Sequence, residues 1–141
     1  MAFGRKEILL SWKKTVVEGR PIIIVGTGTG ISAKFDEVGD VDLIVLYNSG
    51  KFSMACESSI AGLMPYGDAN AIVMEIANEV LQAIEKTPVI AGVCGTGPLR
   101  SVAVFLTEIK EIGFAGVQNF PTEVAFKEQI KKFKSINFKG V

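Results

Sequence analysis

The chain has 141 residues, 48% of them hydrophobic, and its 15 Lys and Arg balance 15 Asp and Glu. That length suits one domain able to bury roughly two-thirds of its unfolded surface, and the charge balance supplies no overall positive field for nucleic acid or an anionic membrane. With no His and only two cysteines, Cys56 and Cys94, far apart, a zinc cage, a His-based triad and a disulfide framework are all without support.

Met1-Ala2-Phe3-Gly4-Arg5-Lys6-Glu7 has no long apolar run, so no secretory leader is expected. Residues 6–17 place Ile8, Leu9, Trp12 and Val16 on one helical face, with Lys and Glu opposite. Glu18-Gly19-Arg20-Pro21 stops that helix. Pro21-Ile22-Ile23-Ile24-Val25 is a continuous apolar run, the pattern of a strand buried on both faces. Gly26, Thr27, Gly28, Thr29 and Gly30 then turn the chain into a short helix over 31–38. Glycines let backbone N–H groups approach an anion, and the helix N-terminus adds a favourable dipole. The spacing is not the dinucleotide fingerprint, whose third glycine would fall at Ile31, and no Walker Lys-Ser pair follows. A plain tight turn and an anion site both fit.

A second continuous strand spans 41–47, entered from Gly39-Asp40. Asp40 and Asp42 stand at its entrance, the wrong end for ligand chemistry, and read as turn and cap residues. A loop from Asn48 to about Gly67 follows, and loops beyond ~12–15 residues in compact domains are often functional. It begins Tyr47-Asn48-Ser49-Gly50-Lys51. Ser49 and Gly50 could offer hydroxyl and N–H donors to a carboxylate or enolate oxygen, with positive charge from Lys51; alternatively these groups cap the loop's own turns. Glu57, further along, fits a proton shuttle or a solvated surface carboxylate.

Asp68 is an N-cap for a helix running to about Glu85, with Ile72, Val73, Ile76, Val80 and Ile84 inward. Thr87-Pro88 ends it and opens a third strand over 89–93. Cys94-Gly95-Thr96-Gly97-Pro98 follows; a thiol at a strand end near a helix N-terminus could act as a nucleophile. Lacking a His partner, a small buried cysteine is the stronger reading. The next helix carries Val102, Phe105, Leu106, Ile109 and Ile112 on one stripe, Gly113 caps it, and 114–118 form a fourth strand. Gln118 and Asn119 could orient a polar ligand or bond their own loop. Pro121-Thr122 starts a last helix with Phe126, Ile130 and Phe133 inward, whose lysines form a solvated face. Residues 109–117 are echoed by 133–141, so the chain is expected to end just inside a fifth strand.

Continuous apolar strands alternating with one-sided helices demand parallel pairing and right-handed crossovers. The expected fold is α/β, with parallel (β/α) units forming a half TIM barrel of about four to five strands in a single domain; a closed barrel takes ~250 residues. An open doubly wound sheet fits the same alternation. Either way, ligands gather at the carboxyl ends of the strands. No apolar run approaches the ~20 residues that span a bilayer, so the cytoplasm is the expected compartment.

Four segments carry a resemblance: Gly26-Thr27-Gly28-Thr29-Gly30-Ile31-Ser32-Ala33-Lys34, Val41-Asp42-Leu43-Ile44-Val45-Leu46-Tyr47-Asn48-Ser49-Gly50, Leu63-Met64-Pro65-Tyr66-Gly67-Asp68-Ala69-Asn70 and Gly116-Val117-Gln118-Asn119-Phe120-Pro121-Thr122. Together they resemble the phosphoenolpyruvate hydrolase-like family of TIM-barrel proteins, also described as TIM-barrel signal-transduction proteins, over residues 5 to about 122, with 123–141 diverging. The resemblance implies a homo-oligomer, hydrolase chemistry on phosphoenolpyruvate or phosphonopyruvate, and kinship with the phosphoenolpyruvate mutase and isocitrate lyase barrels. In those relatives a Ser-Gly pair after the second strand helps bind the oxo-acid, a role that falls on Ser49 and Gly50. Ser49, Gly50 and Cys94 are thus the catalytic candidates. Gly26, Thr27, Gly28, Thr29, Gly30, Tyr47, Asn48, Lys51, Thr96, Gln118 and Asn119 are the candidates for binding a small anionic ligand. The mutases hold Mg²⁺ with acidic residues after the third strand; none stands between Val89 and Pro98 here, and Gly97 takes the place of the family's usual Asp. The rival expectation is a non-enzymatic scaffold or signalling module that self-associates.

Overall fold

The computed structural model describes residues 3–64, 66–97 and 100–119. In chain order these form α1 (Arg5–Val17), β1 (Ile24–Thr27), α2 (Gly30–Val38), β2 (Leu43–Leu46), α3 (Asn48–Met54), a 3-10 turn (Ser59–Leu63), α4 (Ala69–Ala83), β3 (Val89–Val93), α5 (Val102–Ile112) and β4 (Gly116–Asn119). The four strands make one sheet in the order β1-β2-β3-β4, and every neighbouring pair is parallel. Sequential order without a reversal is the arrangement of a partial barrel; a doubly wound sheet reverses its strand order at a switch point.

Alternation along each strand sorts the side chains. Ile44 and Leu46 of β2 and Val89, Ala91 and Val93 of β3 lie in one buried cluster with Val73, Ile76, Ala77 and Val80 of α4 and Phe105 and Ile109 of α5. Each such Ile, Leu or Val stabilises by about 1.5–3 kcal/mol when fully buried. The helices start and stop where local chemistry dictates. Asp68 Oδ1 accepts the Asn70 N–H at 2.9 Å and starts α4. Gly113, in the left-handed conformation at φ 113°, ends α5.

Three expectations change. The first strand begins at Ile24 and takes in Gly26 and Thr27, and among the described residues it lies at the sheet edge, with Ile24 53% exposed. A continuous apolar run does not distinguish a strand flanked on both sides from one left at an edge. The first helix buries only Thr15; Ile8 and Trp12 are half-buried, whereas Leu9 and Val16 are exposed. The long loop after β2 is largely helical, as α3 and the 3-10 turn. Its polar residues suggested a loop, but Asn48 is buried and its side-chain amide donates to the Gly62 carbonyl at 2.9 Å, tying the two short helices together. The expected last helix and fifth strand lie outside the described residues.

Asp42, expected as a turn or cap residue, instead ties two chain segments together, its carboxylate accepting the Ile23 N–H ahead of β1 at 2.8 Å. Glu37, at the end of α2, does more. Its carboxylate accepts the backbone N–H groups of Glu85 (3.1 Å), Lys86 (2.6 Å) and Thr87 (2.8 Å) in the turn that leads into β3. Burial pushes this carboxyl up, but the backbone bonds outweigh burial and hold it below its ordinary value. A depressed folded-state pKa contributes stability that is complete above the unfolded value of about 4.3 and is lost as pH falls through the folded value. Glu37→Gln should therefore cost about 1–2 kcal/mol at pH 7, allowing for partial exposure, and the difference from the parent should shrink under acid. Urea titrations at pH 7 and pH 3 measure both; a gap unchanged between the two pH values would contradict the assignment.

Candidate functional site

The pairing of Leu46 with Ala91 and of Gly92 with Gln118 places Tyr47, Gly92 and Gln118 side by side. By alternation they lie on the sheet face opposite the Ile44–Leu46 core. Tyr47 lies flat across the sheet there. A Cβ on Gly92 would collide with its ring, and one on Gly26 would sit 3.6 Å from it. The ring thus spans the glycine of β3 and reaches β4, where the Tyr47 hydroxyl donates to Gln118 Oε1 at 3.1 Å. Burial raises the phenol's pKa, so the group stays protonated and keeps its donor.

Beside this platform, β3 ends in the Cys94 turn. Cys94 is buried, with its sulfur 3.4 Å from the Thr96 hydroxyl. The Asn119 side chain accepts the Gly95 N–H at 3.0 Å, and the Gly97 N–H returns to the Cys94 carbonyl at 3.2 Å. Asn70, which the sequence pattern did not single out, brackets Cys94 from α4: the Cys94 N–H donates to Asn70 Oδ1 at 2.8 Å, and Asn70 Nδ2 donates to the Cys94 carbonyl at 3.0 Å. A signal existed, since Asn70 continues the inward Val73, Ala77, Val80 stripe and is a polar residue at a core position.

The remaining candidates form a second group around β1. Gly28 and Gly50 touch backbone to backbone: a Cβ on Gly28 would overlap the Gly50 carbonyl, and one on Gly50 would lie 2.5 Å from the Thr27 oxygen. Glycine is needed at both. The Gly50 N–H donates to the Tyr47 carbonyl at 3.0 Å. Ser49 is wedged against Gly62, where a Cβ would stand 2.6 Å from that of Ser49. Thr29 caps α2 by accepting the Ser32 N–H at 3.3 Å. The Gly30 N–H donates to the Glu79 carboxylate at 2.9 Å, and Lys51 pairs with Glu75 at 2.7 Å. Gly28, Thr29, Lys51, Glu75 and Glu79 line a cleft of about 260 Å³. Two of the groups expected to meet an anion, the Gly30 N–H and the Lys51 ammonium, already hold carboxylates of α4. Glu57 is exposed just beyond α3.

A larger hollow, about 410 Å³, lies among Trp12, Arg20, Glu37, Asp40, Asp42 and Lys86. It is the seam between α1 and the amino ends of the strands, the far end from the Tyr47 platform. The Mg²⁺ site of the related mutases does not fit this chain. The turn after β3 has no carboxylate between Val89 and Gly97, and among the described residues no three His, Cys, Asp or Glu side chains gather as metal ligands.

The parallel one-sided sheet with its polar groups at the strand ends is that of a TIM-barrel segment, and the chain belongs to the phosphoenolpyruvate hydrolase-like family, whose pattern it matches over residues 7–136. It is 58% identical over 118 residues to the ToMV resistance protein Tm-1(GCR237) of tomato, Solanum lycopersicum, an overlap covering 84% of this chain and 16% of that protein. The ToMV susceptible protein tm-1(GCR26) of the same plant is 58% identical over 115 residues, 82% of this chain and 15% of its own length. The chain thus spans about a sixth of the length of these curated relatives.

The platform makes a clear demand on residue 92. Gly92→Ala should force the Tyr47 ring aside and cost about 1–3 kcal/mol through overpacking, whereas Tyr47→Phe, which keeps the ring and removes the partly exposed bond to Gln118, should cost less, about 1 kcal/mol. Denaturation midpoints of the two variants check the order; a Gly92→Ala chain as stable as Tyr47→Phe would mean the ring does not rest on β3.

Proposed function

We propose that the chain binds a small phosphorylated or oxo-acid at the carboxyl ends of β2, β3 and β4, and that it does so as a barrel segment of a phosphoenolpyruvate or phosphonopyruvate hydrolase-like protein. One observation carries the proposal. Polar groups gather at three successive strand ends: Tyr47 reaches Gln118 on the face opposite the Ile44–Leu46 core, and Asn119, which alternation sets on the other face beside Val93, takes the Gly95 N–H just past β3. With Gln118 Oε1 accepting from Tyr47, the Gln118 amide nitrogen is left to donate, and the turn after β3 offers the Thr96 hydroxyl, 3.4 Å from the Cys94 sulfur. Such donors, fixed before the ligand arrives, stabilise a carboxylate or an enolate-like oxygen. Ser49 and Gly50 flank the platform from α3, the glycine shaping the contact with β1 and the serine offering its hydroxyl. Cys94, buried and without a His partner, serves as packing under Thr96. Among the described residues no helix is long and apolar enough to cross a membrane, and a cytoplasmic setting with a diffusible anionic ligand suits the proposal.

Calorimetric titration with oxalate, an enolate mimic, tests it. The parent chain should bind, and Ser49→Ala and Gln118→Ala should each weaken binding by about tenfold, the worth of one hydrogen bond to a charged group. Phosphate release from phosphonopyruvate would add turnover to binding. Absence of oxalate binding would end the proposal.

A second reading, the self-associating module, has its own support. Ile31, Phe35 and Val38 repeat at helical spacing on α2 and are 68%, 68% and 77% exposed. They lie away from the Gly30 and Glu37 positions that meet α4 and its following turn, and Ile23 and Ile24, at the entrance of β1, are exposed too. An exposed apolar stripe favours association. Light scattering across a concentration series should give a mass above one chain, reduced to one chain by Phe35→Glu; a monomer throughout would remove this reading.

A further inference from the structure

We infer that Asn70 is a positioning residue of the proposed ligand site, fixing the Cys94–Gly97 turn at the height from which Thr96 addresses a ligand; the inference rests on the site proposed above. Asn70 stands in the first turn of α4 and is 5% exposed. Its backbone is anchored by Asp68, which accepts the Asn70 N–H at 2.9 Å. Its carboxamide then makes two bonds to one residue, accepting from the Cys94 N–H at 2.8 Å and donating to the Cys94 carbonyl at 3.0 Å.

That is the pattern a neighbouring strand would supply, delivered by a side chain one residue after β3 makes its last pairing, Val93 with Asn119. The Cys94 carbonyl accepts a second bond, from the Gly97 N–H at 3.2 Å, so the turn folds back over the same amide. A Cβ on Gly97 would stand 3.2 Å from Asn70 Nδ2. Asn119 steadies the other flank through Gly95. Asparagine is the residue this geometry asks for. Leucine would strand the buried Cys94 N–H and leave the carbonyl with its Gly97 bond alone, and aspartate would accept from the N–H but set a carboxylate against the carbonyl. The Thr96 hydroxyl, 3.4 Å from the Cys94 sulfur, inherits its place from this clamp. The turn's own bond, Gly97 N–H to the Cys94 carbonyl, closes it on itself but ties it to no other element, and its two glycines leave other conformations open.

The test pairs amide exchange with affinity. In Asn70→Ala, hydrogen exchange at the Cys94 and Gly95 amides should accelerate by at least about tenfold relative to the Ala91 and Val93 amides of β3, and the dissociation constant for oxalate should rise by a similar factor. Asn70→Asp keeps the acceptor, so it should restore protection of the Cys94 amide while affinity stays weakened. Should Asn70→Ala fail to fold, Asn70→Asp carries the comparison alone: a protected amide with parental affinity overturns the role assigned to Asn70. The same holds for a freed turn with parental affinity, or for amides that stay protected in Asn70→Ala. No oxalate binding by the parent chain would instead overturn the ligand site itself.

Discussion

Parallel pairing in even register governs everything else in this molecule. Four strands that run the same way must all deliver their chains to the same end of the sheet, and their side chains must stack in level rows. One such row brings the Tyr47 ring, one residue past β2, beside a residue of β3 that has no side chain at all. A slip of a single residue would set Val93 where Gly92 stands and send Tyr47 toward the helical core. The hydroxyl could then never reach β4.

The second constraint is close approach of backbones. Gly28 against Gly50, and Gly62 against Ser49, let α3 and the 3-10 turn settle onto the end of β1 without an intervening layer of side chains. The settlement consumes polar groups. The Gly50 N–H closes its own turn, Asn48 holds Gly62, Lys51 holds Glu75, and the Gly30 N–H holds Glu79. What is left to address a small ligand shifts from the glycine-rich turn after β1 toward β2, β3 and β4. The family to which the chain belongs fits the architecture, and the chemistry proposed for it has to work with this smaller set.

Much of the fold was legible in the sequence for a physical reason. Buried parallel strands leave unbroken runs such as Leu43–Leu46, and helices on one face of a sheet leave stripes such as Val73, Ala77 and Val80. Stops are chemically explicit too, as at Asp68 and Gly113. What was not legible follows from the same physics. Ile22, Ile23 and Ile24 look alike whether or not a neighbouring strand covers them, so the edge position of β1 was hidden. Asn48, Ser49 and Gly50 have the composition of a loop, and only the distant Gly62 makes a helix of them. The candidate residues were found as types, but their partners were not. Glu75, Glu79 and Asn70 come from a helix whose periodicity announced nothing beyond packing. Asn70 could have been suspected as an amide at a core position; the two glutamates lie on the solvent side and gave no sign.

The Glu79 carboxylate at the start of α2 has one more consequence. The partial positive charge of that helix end is already answered from within the molecule, so an outside anion could settle there only by exchange, evicting a tethered competitor whose effective concentration is set by the fold. An intramolecular rival of this kind taxes every weak anion and spares none in the surrounding solution. An anion arriving at the glycine-rich turn would thus have to displace Glu79 from the Gly30 N–H, a condition that the strand ends of the proposed site do not impose.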